Sequence, residues 1–208
     1  MTDTNYTALL LVIDRSGSMT GIRDDMVGGL QSLLADQAAE PGMLTVDIVT
    51  FDDVIEHTHA FADPATVQIE LEPRGMTALH DAMGISITEF GRALAALPEH
   101  ARPSTVQVVV VTDGGENSSR EYSGAAVKKL VTDQTEKYGW DFVFLGANQD
   151  AVATGRDLGI AGDSAMTFAA APGAVQSTTD SIKRYMKDVR GGSKRGFTEA
   201  ERGDAAGE

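Results

Sequence analysis

Residues 8–18 read ALLLVIDRSGS, and this stretch decides how the fold is interpreted. The nearly continuous apolar run at 8–13 is typical of a strand buried on both faces, as in a parallel sheet covered by helices. The run ends at Asp14, and a turn rich in Ser and Gly follows. A second apolar run, at 106–111, is followed closely by Asp113. The sequence therefore predicts two buried parallel strands that each lead into a carboxylate.

Helical and extended patterns alternate along the rest of the chain. Apolar residues at helical spacing predict helices at about 22–40, 78–97, through 127–131, at 151–158 and at 173–189. Further strands are predicted at 44–51, 54–61, 140–145 and the short stretch 165–168. Asp52-Asp53 reads as a hairpin turn, which places one antiparallel strand at a sheet edge. The fold class is therefore α/β: a doubly wound, mostly parallel central sheet with helices on both faces.

The chain has 208 residues, of which 42% are hydrophobic, and these are sufficient for one compact domain. We assign that domain to residues 6–190. Residues 191–208 are rich in Gly, Lys, Arg and Glu and contain one aromatic residue, Phe197. We expect this tail to be disordered and not to pack.

Charge and cysteine content exclude several classes of function. The formal net charge is −14, so nucleic acid and anionic membranes are poor partners. The absence of cysteine excludes disulfide scaffolds, thiolate zinc sites and cysteine nucleophiles. The polar N-terminal residues lack a signal-peptide pattern, and no apolar run is long enough to span a bilayer. We therefore expect a cytoplasmic protein.

The two strand ends carry a candidate metal site. Asp14, Ser16 and Ser18 occupy alternate positions of one turn, so their oxygens can converge, and Asp113 reaches the same sheet edge if both strands are parallel. Carboxylates and hydroxyls favour Mg²⁺, with Ca²⁺ and Mn²⁺ as alternatives. Taken alone, Asp14 also fits a helix N-cap or a turn residue.

Three separated motifs resemble the metal-ion-dependent adhesion site (MIDAS) of the von Willebrand factor type A (VWA) domain. They are Asp14-x-Ser16-x-Ser18, Thr77 within residues 75–79 (GMTAL), and Asp113 within residues 112–114 (TDG). The resemblance covers roughly residues 6–190 and is greatest to stand-alone bacterial and phage members. It implies that the Ser hydroxyls bind the metal directly, and that Thr77 binds directly or through water. The two aspartates would act mainly through ordered waters.

The resemblance implies a binding function and no enzymatic activity. A cation held by hydroxyls keeps one coordination position for a carboxylate of a protein partner. The chain would then be an adaptor, and an AAA+ ATPase of the MoxR class or a virion component is a candidate partner.

Two alternatives stay open. One is a Mg²⁺-dependent phosphatase with Asp14 as nucleophile, although such enzymes have a second acid where this chain has Ser16. The other is an assembly component whose metal only stabilises loops.

Other polar residues admit two interpretations each. Asp81 follows Thr77 by one helical turn, and it is either a support for the metal site or a first-turn charge. Residues 116–119 either shape the rim of the site or form an ordinary polar loop. The tripeptide 202–204 (Arg-Gly-Asp) is best interpreted as a chance sequence, although a tail carboxylate could reach the metal site of another copy.

Overall fold

The structure, a computed structural model, describes residues 2–208 and contains a six-stranded sheet. The strands are β1 (Asp3–Asp14), β2 (Met43–Phe51), β3 (Ile55–Ala62), β4 (Pro103–Thr112), β5 (Asp141–Ala147) and β6 (Ala165–Phe168). Their order across the sheet is β3-β2-β1-β4-β5-β6. All neighbours pair in parallel except β2 and β3, which form the antiparallel hairpin at one edge. The predicted fold class is confirmed.

Helices cover both faces of the sheet. They are α1 (Arg23–Ala39), α2 (Leu79–Ala96), α3 (Gly124–Tyr138), α4 (Ala151–Asp157), α5 (Pro172–Arg190) and α6 (Glu199–Ala206). The apolar sides of α1, α5 and α6 share one core, and those of α2, α3 and α4 share the other. The first five helices correspond to the five predicted from apolar spacing.

The central strand β1 divides its side chains between the two cores. Leu9, Leu11 and Ile13 enter the core beneath α1 and α5, whereas Leu10 and Val12 enter the core beneath α2. This alternation follows from the period of two along a strand. Because both faces are covered, every position must be apolar, which explains the continuous apolar run.

The connections place a crevice beside the end of β1. The chain passes from β1 through α1 to β2 on one side, and then from the β2–β3 hairpin through α2 to β4 on the other side of β1. The direction of winding therefore changes between β1 and β4. In open α/β sheets ligands bind at such a point, beyond the carboxyl ends of the strands.

The expectation that residues 191–208 do not pack is wrong. Phe197 is only 6% exposed and stacks on Tyr185 with a centroid distance of 5.0 Å. Thr198 and Glu201 form a capping box that begins α6, and the Ala205 carbonyl accepts a hydrogen bond from Ala169 N–H at 2.8 Å. The prediction failed because only two side chains of this polar segment are buried, which gives no periodic apolar signal.

The tripeptide at 202–204 lies within α6 and not in an extended loop. The Arg202 guanidinium donates hydrogen bonds to the carbonyl oxygens of Ala165 at 2.6 Å and Gly162 at 2.9 Å. Arg184 forms an ion pair with Glu201 at 2.7 Å. These contacts attach α6 to the edge strand β6 and to α5.

None of the helices within residues 2–208 combines the length and the apolar character that crossing a bilayer requires.

Replacing Phe197 with Ala tests the packing of the C-terminal segment. The substitution removes a buried ring that stacks on Tyr185, so we expect a loss of about 3 kcal/mol in the free energy of unfolding. Chemical denaturation measures it, with exposed Glu199→Ala as the control that changes little. Equal stability of Phe197→Ala and wild type would contradict the packing of this segment.

Candidate metal centre

Asp14 ends β1 and is fully buried, with 0% of its surface exposed. Its Oδ1 accepts a hydrogen bond from Ser16 N–H at 2.6 Å, which closes an Asx turn directly after the strand. Its Oδ2 accepts a hydrogen bond from the Thr112 hydroxyl at 2.5 Å, across from the end of β4. The carboxylate is therefore held at the boundary between the two central strands.

The turn after Asp14 brings the two serine hydroxyls together. Met19 N–H donates to the Ser16 carbonyl at 3.0 Å and leads the chain into a 3₁₀ helix over Gly17–Gly21. Ser16 Oγ and Ser18 Oγ share a hydrogen bond of 3.1 Å. Ser18 Oγ also donates to Asp113 Oδ1 at 2.6 Å. These contacts link the β1 loop to the β4 loop.

Thr77 reaches the same place from the loop before α2. Its N–H donates to Asn117 Oδ1 at 2.8 Å, and its carbonyl accepts from Asn117 N–H at 3.0 Å. A Cβ added to Gly114 would lie 2.8 Å from Thr77 Oγ1 and 3.6 Å from Ser18 Oγ, so both hydroxyls border the same glycine. The structure thus brings together all five residues selected from the sequence: Asp14, Ser16, Ser18, Thr77 and Asp113.

Two carboxylates lie close together in this cluster, and burial raises the pKa of both. Burial raises the pKa of Asp14 despite hydrogen bonds from Thr112 and Ser16, and the charge of Asp113 raises it further. Burial also raises the pKa of Asp113, against a lowering contribution from the Ser18 hydroxyl. Within residues 2–208 no Lys or Arg forms an ion pair with either carboxylate.

The donor chemistry fits a hard divalent cation. Three hydroxyl oxygens stand beside two carboxylates, which suits Mg²⁺ better than Zn²⁺ or Cu²⁺. Among the residues that the structure describes, no three His, Cys, Asp or Glu side chains are grouped for a metal. A cation here would have to be held by the hydroxyl-rich cluster.

Arg15 lies within the motif but turns away from the cluster. Its buried guanidinium donates to Asp52 Oδ2 at 3.1 Å and also pairs with Glu56. Arg74 binds the same Asp52 oxygen at 2.8 Å. Burial acts to raise the pKa of Asp52, but the hydrogen bonds from Arg74 and Arg15 outweigh it and hold the pKa below its ordinary value.

This ion-pair network positions the loop that carries Thr77. Arg74 N–H donates to the Arg15 carbonyl at 2.8 Å, and Ala78 N–H donates to the Asp52 carbonyl at 3.1 Å. Gly75 is required between them, because its φ is +66° and an added Cβ would meet Asp53 Oδ2 at 2.6 Å. The Asp52-Asp53 hairpin turn, interpreted from sequence only as a turn, therefore also supports the site.

Asp81 lies in the first turn of α2, as one of its two interpretations predicts, and it also supports the loop beside the site. Its carboxylate accepts hydrogen bonds from the backbone N–H groups of Arg120 at 2.6 Å, Glu121 at 2.8 Å and Tyr122 at 2.6 Å. Asp81 therefore attaches the loop after Asp113 to α2.

Glu116 lies in the loop after Asp113 and binds the start of α2, because its carboxylate accepts a hydrogen bond from His80 N–H at 2.8 Å. Glu116 also accepts from the Ser119 hydroxyl at 2.6 Å. These hydrogen bonds hold residues 116–119 in place beside Thr77, which favours the interpretation that they shape the rim of the site over that of an ordinary polar loop.

Sequence reasoning did not predict the contacts by which Thr112 and Asn117 hold the cluster. Thr112 was visible as a polar residue at the end of an apolar strand, directly before Asp113. Asn117 belongs to residues 116–119, for which a place at the rim of the site was one of two interpretations, but its contact with Thr77 was not predicted because it joins positions 40 residues apart.

No protein-family model matches the sequence, and no curated protein matches it. Several solved structures are similar in fold. Proximal thread matrix protein 1 from the mussel byssus, solved with a zinc-occupied MIDAS motif, has a TM-score of 0.59 at 17% identity over 90% of this chain and 46% of its own. The von Willebrand factor type A protein from Catenulispora acidiphila has a TM-score of 0.58 at 16% sequence identity. The similarity covers 86% of this chain and 42% of the Catenulispora chain. The vWF domain of the type V pili tip protein Mfa5 from Porphyromonas gingivalis has a TM-score of 0.61 at 10% sequence identity. The similarity covers 93% of this chain and 98% of the Mfa5 domain.

These similarities, together with the topology, define a doubly wound α/β domain with an oxygen-rich cluster at its switch point. The fold is that of the von Willebrand factor type A domain. The chain spans less than half the length of the mussel and Catenulispora chains, and nearly the whole Mfa5 domain.

Replacing Asp81 with Asn tests the attachment of the β4 loop. Three backbone N–H groups lose their charged acceptor, so we expect a loss of about 1–3 kcal/mol in the free energy of unfolding at neutral pH. Burial acts to raise the pKa of Asp81, but these hydrogen bonds outweigh it and lower the pKa, so the stabilisation is complete above the ordinary value of 3.8 and disappears as pH falls through the lowered pKa.

Denaturation of wild type and Asp81→Asn across this pH range measures the difference. Exposed Asp24→Asn serves as the control. A difference between wild type and Asp81→Asn that grows toward acid pH would contradict the assignment.

Proposed function

We propose that the chain is a divalent-metal-dependent protein-interaction module whose metal, most suitably Mg²⁺, is held by Asp14, Ser16, Ser18, Thr77 and Asp113. The observation that carries this proposal is the convergence of three hydroxyls on two carboxylates, of which Asp14 is fully buried and Asp113 is partly exposed. No basic side chain in the described part of the chain forms an ion pair with either carboxylate. Buried carboxylates without a counter-charge are costly, and a divalent cation offsets that cost.

The chain's own residues define how such a site would bind. The hydroxyls of Ser16, Ser18 and Thr77 are neutral, so they leave most of the charge of a bound cation uncompensated. Mg²⁺ in that position would attract a further anionic oxygen. Ser18 is exposed and Asp113 is partly exposed, so the cluster is open to solvent on one side. An acidic side chain of a partner protein can approach from there.

The surface around the site limits the chemical character of the partner surface that we propose. Met76 precedes Thr77 and is 50% exposed, which gives the rim an apolar contact point. The net charge of −14 repels a generally acidic surface. The partner we propose therefore presents one acidic side chain on an otherwise neutral or basic face.

Fold similarity to a byssus matrix protein and a pili tip protein is consistent with a role in assembly. The sequence resemblance to intracellular stand-alone VWA proteins suggests a cytoplasmic adaptor and an AAA+ ATPase as partner class.

The phosphatase alternative requires Asp14 to attack a substrate. Both Asp14 oxygens are engaged in hydrogen bonds, and the residue is fully buried. That arrangement favours a structural or metal-linked carboxylate over a nucleophile. A purely structural metal remains the second candidate, because the cluster joins loops at 14–18, 77 and 113 that are distant in sequence.

Metal binding is tested by calorimetry and thermal unfolding with Mg²⁺ and with EDTA. At a free Mg²⁺ concentration 100 times the dissociation constant, we expect a gain of about 2.7 kcal/mol in stability. Ser18→Ala should weaken binding without unfolding the protein, because Ser18 is exposed. Exposed Ser104→Ala, near the beginning of β4 and away from the site, is the matched control. Equal Mg²⁺ affinity of Ser18→Ala and wild type would argue against the site.

Partner binding is tested by capture from native lysate followed by mass spectrometry. We expect proteins that are retained with Mg²⁺ and lost both with EDTA and with Ser18→Ala. If chelation lowers stability while the captured proteins stay the same, the metal is structural and the interaction proposal fails.

A further inference from the structure

A cavity of about 380 Å³ lies between α2 and α3, far from the candidate metal centre. It borders the beginning of β4, whereas Asp113 follows the end of that strand. We call this cavity the α2–α3 groove. Its lining includes Gly91 and Leu94 from α2, Leu130 and Gln134 from α3, and Trp140 before β5. The volume is within the range of small-molecule sites, toward its lower end.

The floor of the groove is aromatic and preformed. Trp140 is buried and makes an edge-to-face contact with Phe90 at 5.7 Å and a stacked contact with Phe142 at 6.2 Å. Gly91 leaves space above it, because an added Cβ would lie 3.5 Å from Trp140 Cη2 and 3.5 Å from Gln134 Nε2. An apolar ring can therefore lie against Trp140 without moving the backbone.

The charge of the groove is opposite to that of the whole chain. Its lining contains two arginines, Arg92 and Arg102, and no carboxylate, although the chain has a net charge of −14. Arg102 is fixed by hydrogen bonds from its Nε to the carbonyl oxygen of Leu97 at 2.9 Å and from its Nη2 to that of Ala95 at 2.5 Å. Its charge also lowers the pKa of Glu99, which lies outside the lining of the groove. Arg92 forms no ion pair or side-chain hydrogen bond with any residue in the range 2–208.

We propose that the α2–α3 groove is a binding site for a small molecule with an apolar aromatic body and one anionic group. The ring would pack on Trp140 in the space above Gly91, and the anion would bind Arg92 and Arg102. Charge-assisted hydrogen bonds from guanidinium to carboxylate supply orientation, and ring contact supplies most of the burial. This site is separate from the proposed metal-dependent interaction and does not depend on it.

The experiment uses 2-naphthoate as the anionic probe and 2-naphthamide as its neutral counterpart. Trp140 is the single tryptophan of the chain, so its indole N–H gives one signal in a ¹H–¹⁵N spectrum. We expect 2-naphthoate to shift this signal in a saturable manner, with or without EDTA. The neutral amide should bind roughly tenfold or more weakly, the scale of one charge-assisted hydrogen bond.

Two variants separate the contributions of shape and charge. Gly91→Leu should abolish the shift by filling the space above Trp140, and leucine is a better helix former than glycine at this position. Arg92→Gln should weaken 2-naphthoate binding roughly tenfold and leave 2-naphthamide unchanged. Exposed Arg120→Gln, in the loop near the metal centre, is the matched control and should change neither.

The proposal is overturned if millimolar 2-naphthoate leaves the Trp140 signal unshifted. It is also overturned if the amide binds as tightly as the acid, or if binding survives both Gly91→Leu and Arg92→Gln. Unfolding midpoints of both variants equal to that of wild type establish that a loss of binding is local.

Discussion

The burial of β1 on both faces, with strands hydrogen-bonded along both of its edges, is the constraint on which the rest of the structure depends. A strand of this kind can only be central, because its backbone N–H and C=O groups pair with β2 on one side and β4 on the other. Its alternating side chains then require a helical layer on each face. The position of β1 also brings the ends of β1 and β4 side by side, so Asp14 and Asp113 become neighbours.

Burying carboxylates in the oxygen-rich cluster at these strand ends costs free energy when no positive charge compensates them. The protein holds it by attaching each loop to a rigid element: Asp14 to Thr112, Thr77 to Asn117, and the β4 loop to Asp81. In the flanking network, Arg15 and Arg74 both pair with Asp52, so no uncompensated charge is buried there. Such preorganisation is expected of a site that binds without a large change in shape.

The two ends of the sheet have opposite electrostatic character. Carboxylates gather at the carboxyl ends of β1 and β4, whereas the α2–α3 groove near the beginning of β4 contains arginines and no acid. A cation at one end and an anion at the other are therefore compatible with the same strongly acidic chain. The C-terminal segment lies on the other face, where Phe197 and α6 cover β6 and α5.

The sequence by itself determined the strands, five of the helices and the antiparallel edge, and it predicted Asp14, Ser16, Ser18 and Asp113 as a candidate metal centre. Those features have local signals: continuous apolar runs such as 8–13, helical spacing, and polar residues that directly follow apolar strands. Thr77 was added to that centre only through the resemblance to the VWA domain. Tertiary structure alone decided the packing of α6, the role of Asp81, the support of Thr77 by Asn117, and the groove beside Trp140. Each of these depends on contacts between residues distant in the chain, and periodicity along a sequence carries no information about such contacts.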